Sequence, residues 1–212
     1  MNPLDFVLHF DKHLIEFVRA YGSWVYAILF TIIFAETGFV VTPFLPGDSL
    51  LFAAGALCAT GELSLTAMLA LLVFAAFAGN TVNYAVGRYI GPRVFRAESS
   101  HRLLNRQYLD RAHTFFEQYG GKAVILGRFV PIVRTFVPFV VGAAQMTAAS
   151  FVLYNIVGAV SWVTVCLGAG WLFGNVPIIK NNFSLVTIGI VFVSLLPMLF
   201  EIIAHRRRQR SA

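Results

Sequence analysis

Apolar residues run almost unbroken along this chain, and polar residues interrupt them at a few defined places. Residues 24–41 are long enough to span a bilayer, since about 20 apolar residues cross the hydrocarbon core, and Glu36 lies near the far end of this run. Residues 43–57 are apolar but broken by Pro43 and by Pro46-Gly47-Asp48-Ser49. That segment is too short and too broken for a clean crossing and is predicted to be re-entrant. Such backbone is tolerated at membrane depth only where protein or a water-filled cavity covers it. Residues 64–87 form the next span, with Asn80, Asn83 and Tyr84 as its polar face. A second broken segment, 123–145, is apolar yet contains Arg128, Pro131, Arg134 and Pro138. Residues 147–174 span, 175–182 turn, and 183–204 span again before a basic tail, 205–212.

Two polar stretches complete the pattern. Residues 3–20 alternate apolar and charged positions at helical spacing, which predicts an amphipathic helix lying on the membrane surface. Residues 88–122 are the long polar stretch, in which Arg88, Arg93, Arg96, Arg102, Arg106, Arg111 and Lys122 outnumber Glu98, Asp110 and Glu117. The positive-inside rule makes this loop cytoplasmic. Within it, Tyr108–Tyr119 is predicted to be a short helix ended by Gly120-Gly121.

These elements predict an all-α integral membrane protein, a single membrane domain over 1–212. It has four transmembrane helices, two inverted re-entrant hairpins and an N-terminal amphipathic helix. Residues 24–91 form a first repeat with its hairpin at 43–57. Residues 92–122 are the connecting loop, and 123–174 form a second repeat with its hairpin at 123–145. If both broken segments enter and leave on one side, the chain crosses four times. The N-terminus, loop and tail are then all cytoplasmic, and the hairpins enter from opposite faces. If one broken segment crossed fully, either loop and tail would fall on opposite sides or the N-terminus would move outside. The arginine distribution argues against the first outcome, while the balanced N-terminal charges leave the second open. Pro-Phe-Leu-Pro-Gly-Asp-Ser before a span ending Gly87-x-x-x-Gly91 is matched by Arg-Phe-Val-Pro-Ile-Val-Arg before a span ending Gly170-x-x-x-Gly174. Inverted repeats with discontinuous helices are a secondary-transporter design. The paired glycines suit close helix packing and would also permit a homodimer.

Composition agrees with this reading. The 212 residues are 58% hydrophobic and 12% charged, with a mean hydropathy of +0.75, where a soluble domain carries about 25% charged residues. The net charge of +6 is concentrated in the loop and tail, so it reads as membrane topology with phospholipid headgroups as neighbours. No nucleic-acid signature is present. Cys58 and Cys166 lie far apart in apolar runs and read as small buried hydrophobes, with no disulfide framework. Residues 1–20 carry acids and lack the pattern of a cleaved signal peptide. His9 and His13 sit one turn apart without a third ligand, so neither a metal nor a cofactor is expected.

The candidate chemistry lies in the charges at membrane depth. Each costs roughly 2.5–3.5 kcal/mol to insert, and is therefore normally paired and functional. Glu36 and Asp48 are the candidate proton carriers: burial disfavours a charged carboxylate and a nearby arginine favours it, so the two can be balanced. Arg128 and Arg134 stay charged, and their planar forks match a phosphate or carboxylate bidentately. An arriving phosphate would compete with the acids for the arginines, and protonating an acid would free an arginine. The bland alternative is that these are salt bridges pinning the broken segments. Pro43, Pro46, Gly47, Pro131 and Pro138 read as the residues that shape the hairpins. Asn80, Asn83, Gln145 and Asn155 could line the cavity or bond between helices. Trp24, Trp162 and Trp171 read as interface anchors or packing. No catalytic residue is assigned, and the chain is not expected to be an enzyme. It has no His-Glu-x-x-His, no Gly-x-Ser-x-Gly and no nucleotide-binding Gly-x-x-x-x-Gly-Lys-Ser/Thr.

The stretches Glu36-Thr-Gly-x-x-x-x-Pro-Phe-Leu-Pro-Gly-Asp-Ser-Leu-Leu-Phe52, Gly-Gly-Lys-x-x-Ile-Leu-x-Arg128-Phe-Val-Pro-Ile-Val-Arg134-Thr-Phe and Tyr154-Asn155 to Gly174 resemble the bacterial DedA family, whose domain is also called the SNARE-associated or VTT domain. The resemblance covers nearly the whole chain. It implies two opposed re-entrant hairpins, membrane acids at Glu36 and Asp48 and essential arginines at Arg128 and Arg134. It also implies a place in the bacterial inner membrane, a role in envelope homeostasis and dependence on the proton motive force. Some members act as flippases for undecaprenyl phosphate or phospholipids, and eukaryotic relatives are lipid scramblases. The expectation is a proton-coupled flippase for a phosphate-bearing lipid, with undecaprenyl phosphate favoured. The alternatives are a non-selective phospholipid scramblase, a small-ion or drug–proton antiporter, and an assembly factor without substrate.

Overall fold

The computed structural model describes residues 21–39, 47–96, 106–130 and 133–176. Among these there is no β-strand. The helices are α1 (Trp24–Gly38), α2 (Gly47–Ala59), α3 (Leu65–Arg96), α4 (Arg106–Tyr119), α5 (Ala123–Leu126), α6 (Val133–Ala143) and α7 (Ala148–Gly174), with 3-10 turns at Gly120–Lys122 and Gly127–Phe129. The amphipathic segment 3–20, the span 183–204, the tail 205–212, and Pro43, Pro46 and Pro131 fall outside the described residues.

Two helices are long and apolar enough to cross a membrane: Leu65–Gly91 and Ala148–Gly174, each 27 residues, or about 40 Å at 1.5 Å per residue. Their surfaces suit lipid. On α7 the buried positions Asn155, Ala159, Trp162 and Val163 follow helical spacing, while Leu153, Ile156, Val157 and Val160 on the other face are apolar and exposed. A helix that is apolar on its outer face as well as its inner one belongs in a bilayer. Helix α1 has 15 residues and ends at Gly38, short of the 24–41 run read from the sequence. Helix α3 continues to Arg96, past the expected end at 87, because charges that end an apolar stretch do not interrupt backbone hydrogen bonding.

The chain divides into two compact units. In the first, whose described residues are 21–25, 47–68 and 166–176, α2 packs against the end of α7. A Cβ on Gly170 would meet the backbone of Phe52, one on Gly174 the Cα of Ala56, and one on Gly55 the carbonyl of Leu167. In the second, residues 26–45 and 69–165, α6 packs against α3 in the same manner. Gly87 faces the backbone of Phe139, Gly91 faces Ala143, and Gly142 faces the carbonyl of Tyr84. Both glycine pairs are therefore filled within the chain, the one on α3 by α6 and the one on α7 by α2. A dimer would have to use other surfaces.

The core of the second unit gathers Tyr84, Ala112, Val124, Phe136, Phe139 and Phe151 around α6. Tyr84 and Phe151 stack with ring centroids 4.1 Å apart. Helix α4 lays its apolar face on this core and stops at Gly120, whose φ of +56° is left-handed, a conformation glycine adopts at little cost. The second broken segment is discontinuous as expected. The chain leaves the 3-10 turn at Val130 in an extended conformation (φ −108°, ψ 112°), as a residue preceding a proline is forced to do. Pro138 departs from expectation. It lies inside α6 and is buried, rather than at the bend. There it removes the N–H that would bond the carbonyl of Arg134.

Candidate functional site

The second unit carries a buried charged cleft. Helix α1 brings Glu36 to it from the helix's last turn. Gly79 makes this possible, because a Cβ there would collide with Thr37 Oγ1 and the Phe34 carbonyl. Only glycine lets α1 and α3 cross so closely. Glu36 is 1% exposed, and its Oε1 accepts from Arg134 Nη2 in an ion pair; the arginine side chain is 14% exposed. Arg134 stands in the first turn of α6, just past the extended break.

Asn83 of α3 ties the two partners together. Its Nδ2 donates to the carbonyl of Thr37 at 3.2 Å and to that of Thr135 at 2.8 Å. These are the residues that follow Glu36 and Arg134. One buried amide therefore joins the end of the acid-bearing helix to the start of the arginine-bearing one.

Arg128 enters from the 3-10 turn before the break and is 4% exposed. Its Nη2 donates to Asn155 Oδ1 at 2.7 Å and to the carbonyl of Ala76 at 3.3 Å. Both acceptors are neutral. Gly158 makes room for this side chain, since a Cβ there would come within 3.0 Å of Arg128 Nε. Trp162, 3% exposed, lies beneath both guanidiniums, with Arg128 Cζ 5.8 Å and Arg134 Cζ 5.6 Å from the ring centroid. Cation–π contact at that range offsets part of the repulsion between two neighbouring cations.

The cleft is narrow, a cavity of about 10 Å³ with room for about one water, and Asn80, Thr37 and Thr135 complete its wall. Among the described residues that line it, the charged ones are Glu36, Arg128 and Arg134. With the acid ionised their sum is +1; with the acid protonated it is +2. The sum is positive in either state, which favours an anion nearby.

Three of the four charges singled out in the sequence thus meet in one cleft. Asp48 belongs to the first unit, where it stands exposed in the first turn of α2, a position at which the helix dipole favours an acid. Gly47 is the first residue of that helix. Of the amides, Asn83 and Asn155 bond between helices, Asn80 lines the cleft, and Gln145 (φ +60°) sits in the turn after α6, donating to the carbonyl of Arg88 at 3.2 Å. Trp162 is the residue that the sequence reading placed too generically. Its spacing from Asn155 and Gly158, which puts all three on one face of α7, was the signal that could have found it. No group of three or more His, Cys, Asp or Glu that could hold a metal occurs among the described residues.

The fold and cleft define a helical membrane protein with a charged site inside its apolar body. Comparison with known proteins places it further. The VTT domain model matches residues 45–172. The chain is 52% identical over 206 residues to Protein DedA of Escherichia coli K12, covering 96% of this chain and 94% of that one. It is 41% identical over 194 residues to an uncharacterized membrane protein of Mycobacterium tuberculosis H37Rv (91% and 85% covered). It is 36% identical over 155 residues to the inner membrane protein YqjA of E. coli K12 (73% and 70% covered). No solved structure matches. The chain belongs to the DedA family of VTT-domain membrane proteins.

Proposed function

We propose that this protein is a proton-coupled flippase of the bacterial inner membrane that moves a phosphate-bearing lipid, with undecaprenyl phosphate as the favoured cargo. The observation that carries this reading is the charge pattern of the cleft. Arg134 is paired with Glu36, while Arg128 is held by neutral acceptors beside it. A phosphate monoester carries about −1.5 to −2 charges near pH 7. The cleft offers +1 with Glu36 ionised and +2 once Glu36 takes a proton. Binding a monoester dianion therefore favours uptake of one proton at Glu36, and releasing that proton restores the Glu36–Arg134 pair and expels the anion. Undecaprenyl phosphate is such a monoester. A zwitterionic phospholipid, with one phosphate charge and one amine, has less need of the second cation. Asp48 is the second proton carrier in this proposal, and the chain acts as a transporter and not as an enzyme.

The test is translocation by purified protein in proteoliposomes, with labelled undecaprenyl phosphate and a phospholipid in parallel, with and without an imposed pH gradient. Gradient-dependent movement of the monoester, lost in Arg134→Ala, supports the reading. Equal movement of both lipids without a gradient identifies a scramblase and ends the proton argument.

A further inference from the structure

Arg128 is a buried guanidinium whose hydrogen-bond partners are uncharged, and Asn155 supplies the nearer of them. Asn155 is 0% exposed and its amide orientation is determined by its neighbours. Its Nδ2 donates to the carbonyl of Phe77 at 3.0 Å and reaches Thr81 Oγ1 at 3.2 Å. The Thr81 hydroxyl gives its own hydrogen to the Phe77 carbonyl at 2.7 Å, so it can only accept from Asn155. Both amide hydrogens are consumed on α3. Oδ1 is left to face Arg128, which is a donor only. Three residues on two helices thus form a chain that ends on the guanidinium.

We propose that Asn155 is a positioning residue that holds Arg128 in the cleft through a neutral acceptor, so that the arginine's charge remains available to a phosphate monoester. This rests on the anion-binding reading above and names a residue that reading does not require. A carboxylate at this position would hold Arg128 more strongly but cancel its charge, taking the sum over the cleft from +1 to 0 with Glu36 ionised. Among the described residues, the charged groups facing the cleft from the elements packed around it are Glu36 on α1, Arg128 in the 3-10 turn and Arg134 on α6.

The experiment is binding of decyl phosphate, a short monoester, to purified full-length protein in a non-ionic detergent, compared across wild type, Asn155→Asp, Asn155→Gln and Arg128→Ala. Asn155→Asp is expected to fold and to bind about tenfold more weakly or worse at neutral pH. Measured against wild type at the same pH, the loss should shrink as the pH falls and the introduced carboxyl becomes neutral, a pH profile that a merely structural defect would not produce. Asn155→Gln, which keeps a neutral acceptor, is expected within about threefold of wild type. It covers the case in which the acid disrupts the helix pair. A folded Asn155→Asp that binds as wild type does overturns the proposal, as does a folded Asn155→Gln that binds no better than Arg128→Ala. Wild type that binds decyl phosphate but moves no lipid in proteoliposomes sinks the transport reading and leaves this inference standing. Wild type that does not bind it sinks both.

Discussion

Gly170 of α7 lies against Phe52 of α2 so closely that a Cβ on the glycine would occupy the space of the phenylalanine's backbone. Two residues earlier, Gly168 has open space where its Cβ would be. The pair makes a clean contrast. Gly170→Val should force the helices apart at a cost of about 1–3 kcal/mol or more. Gly168→Ala should be neutral or stabilising, since alanine is favoured over glycine in a helix by up to about 1 kcal/mol. Thermal unfolding of the purified variants separates the two, and equal destabilisation would mean that α2 and α7 do not meet through Gly170.

Asn83 joins the carbonyls of Thr37 and Thr135, and its removal leaves two buried acceptors with one donor fewer. Interhelical hydrogen bonds in membrane proteins average about 0.6 kcal/mol and reach about 1.7. Asn83→Leu is therefore expected to cost about 1–3 kcal/mol over the two bonds, and to lower transport further because the Glu36–Arg134 pair loses its alignment. A double-mutant cycle with Glu36→Gln checks this. Additive effects on transport would show that the amide does not act through the ion pair.

The charges, the helix breaks and the glycine pairs were legible in the sequence because each violates a strong local rule. A carboxylate or guanidinium in an apolar run needs a partner, and Pro131 forces Val130 out of the helix. The partners of those charges were not legible. That Arg134 takes Glu36, while Arg128 takes Asn155 and the Ala76 carbonyl, depends on how α1, α3 and α7 cross, and no local pattern encodes that. The proximity of Gly87 to Phe139 and of Gly170 to Phe52 was likewise hidden. The spacing of the glycines shows that something packs there, but not that it is α6 against α3 and α2 against α7. Pro138 shows the limit of reading prolines as bends, since packing holds it inside α6.

Trp162 touches both guanidiniums, so its ring should matter more than its volume. Trp162→Phe keeps an aromatic face, while Trp162→Leu removes it. Each cation–π contact is worth about 0.5–2 kcal/mol depending on burial. Binding of decyl phosphate should therefore fall modestly in the first variant and about tenfold or more in the second. Matching losses in the two variants would reduce Trp162 to a filler of space.

Glu36→Gln is the most direct test of coupling, because it keeps the shape of the side chain and removes the proton site. In wild type, protonation of Glu36 raises the cleft from +1 to +2, so monoester binding should strengthen as the pH is lowered toward about 6, above which the ligand keeps most of its second charge, and transport should follow a proton gradient. In the variant the cleft stays at +2 at every pH. Decyl phosphate should then bind at neutral pH at least as tightly as it binds wild type at low pH, with no pH dependence arising from the cleft. Net transport should cease to respond to an imposed gradient, and release should become the slow step. The cost appears in the empty protein. Breaking a buried ion pair by removing one partner costs about 3–5 kcal/mol, somewhat less here because the arginine retains some exposure. The unliganded variant should melt earlier than wild type and regain stability when decyl phosphate is added, as the anion takes the place of the lost carboxylate. A variant that melts early but gains nothing from the monoester would show that Glu36 and Arg134 are only a structural pair. A gradient response equal to wild type would show that the coupled proton is carried elsewhere, with Asp48 the next residue to substitute.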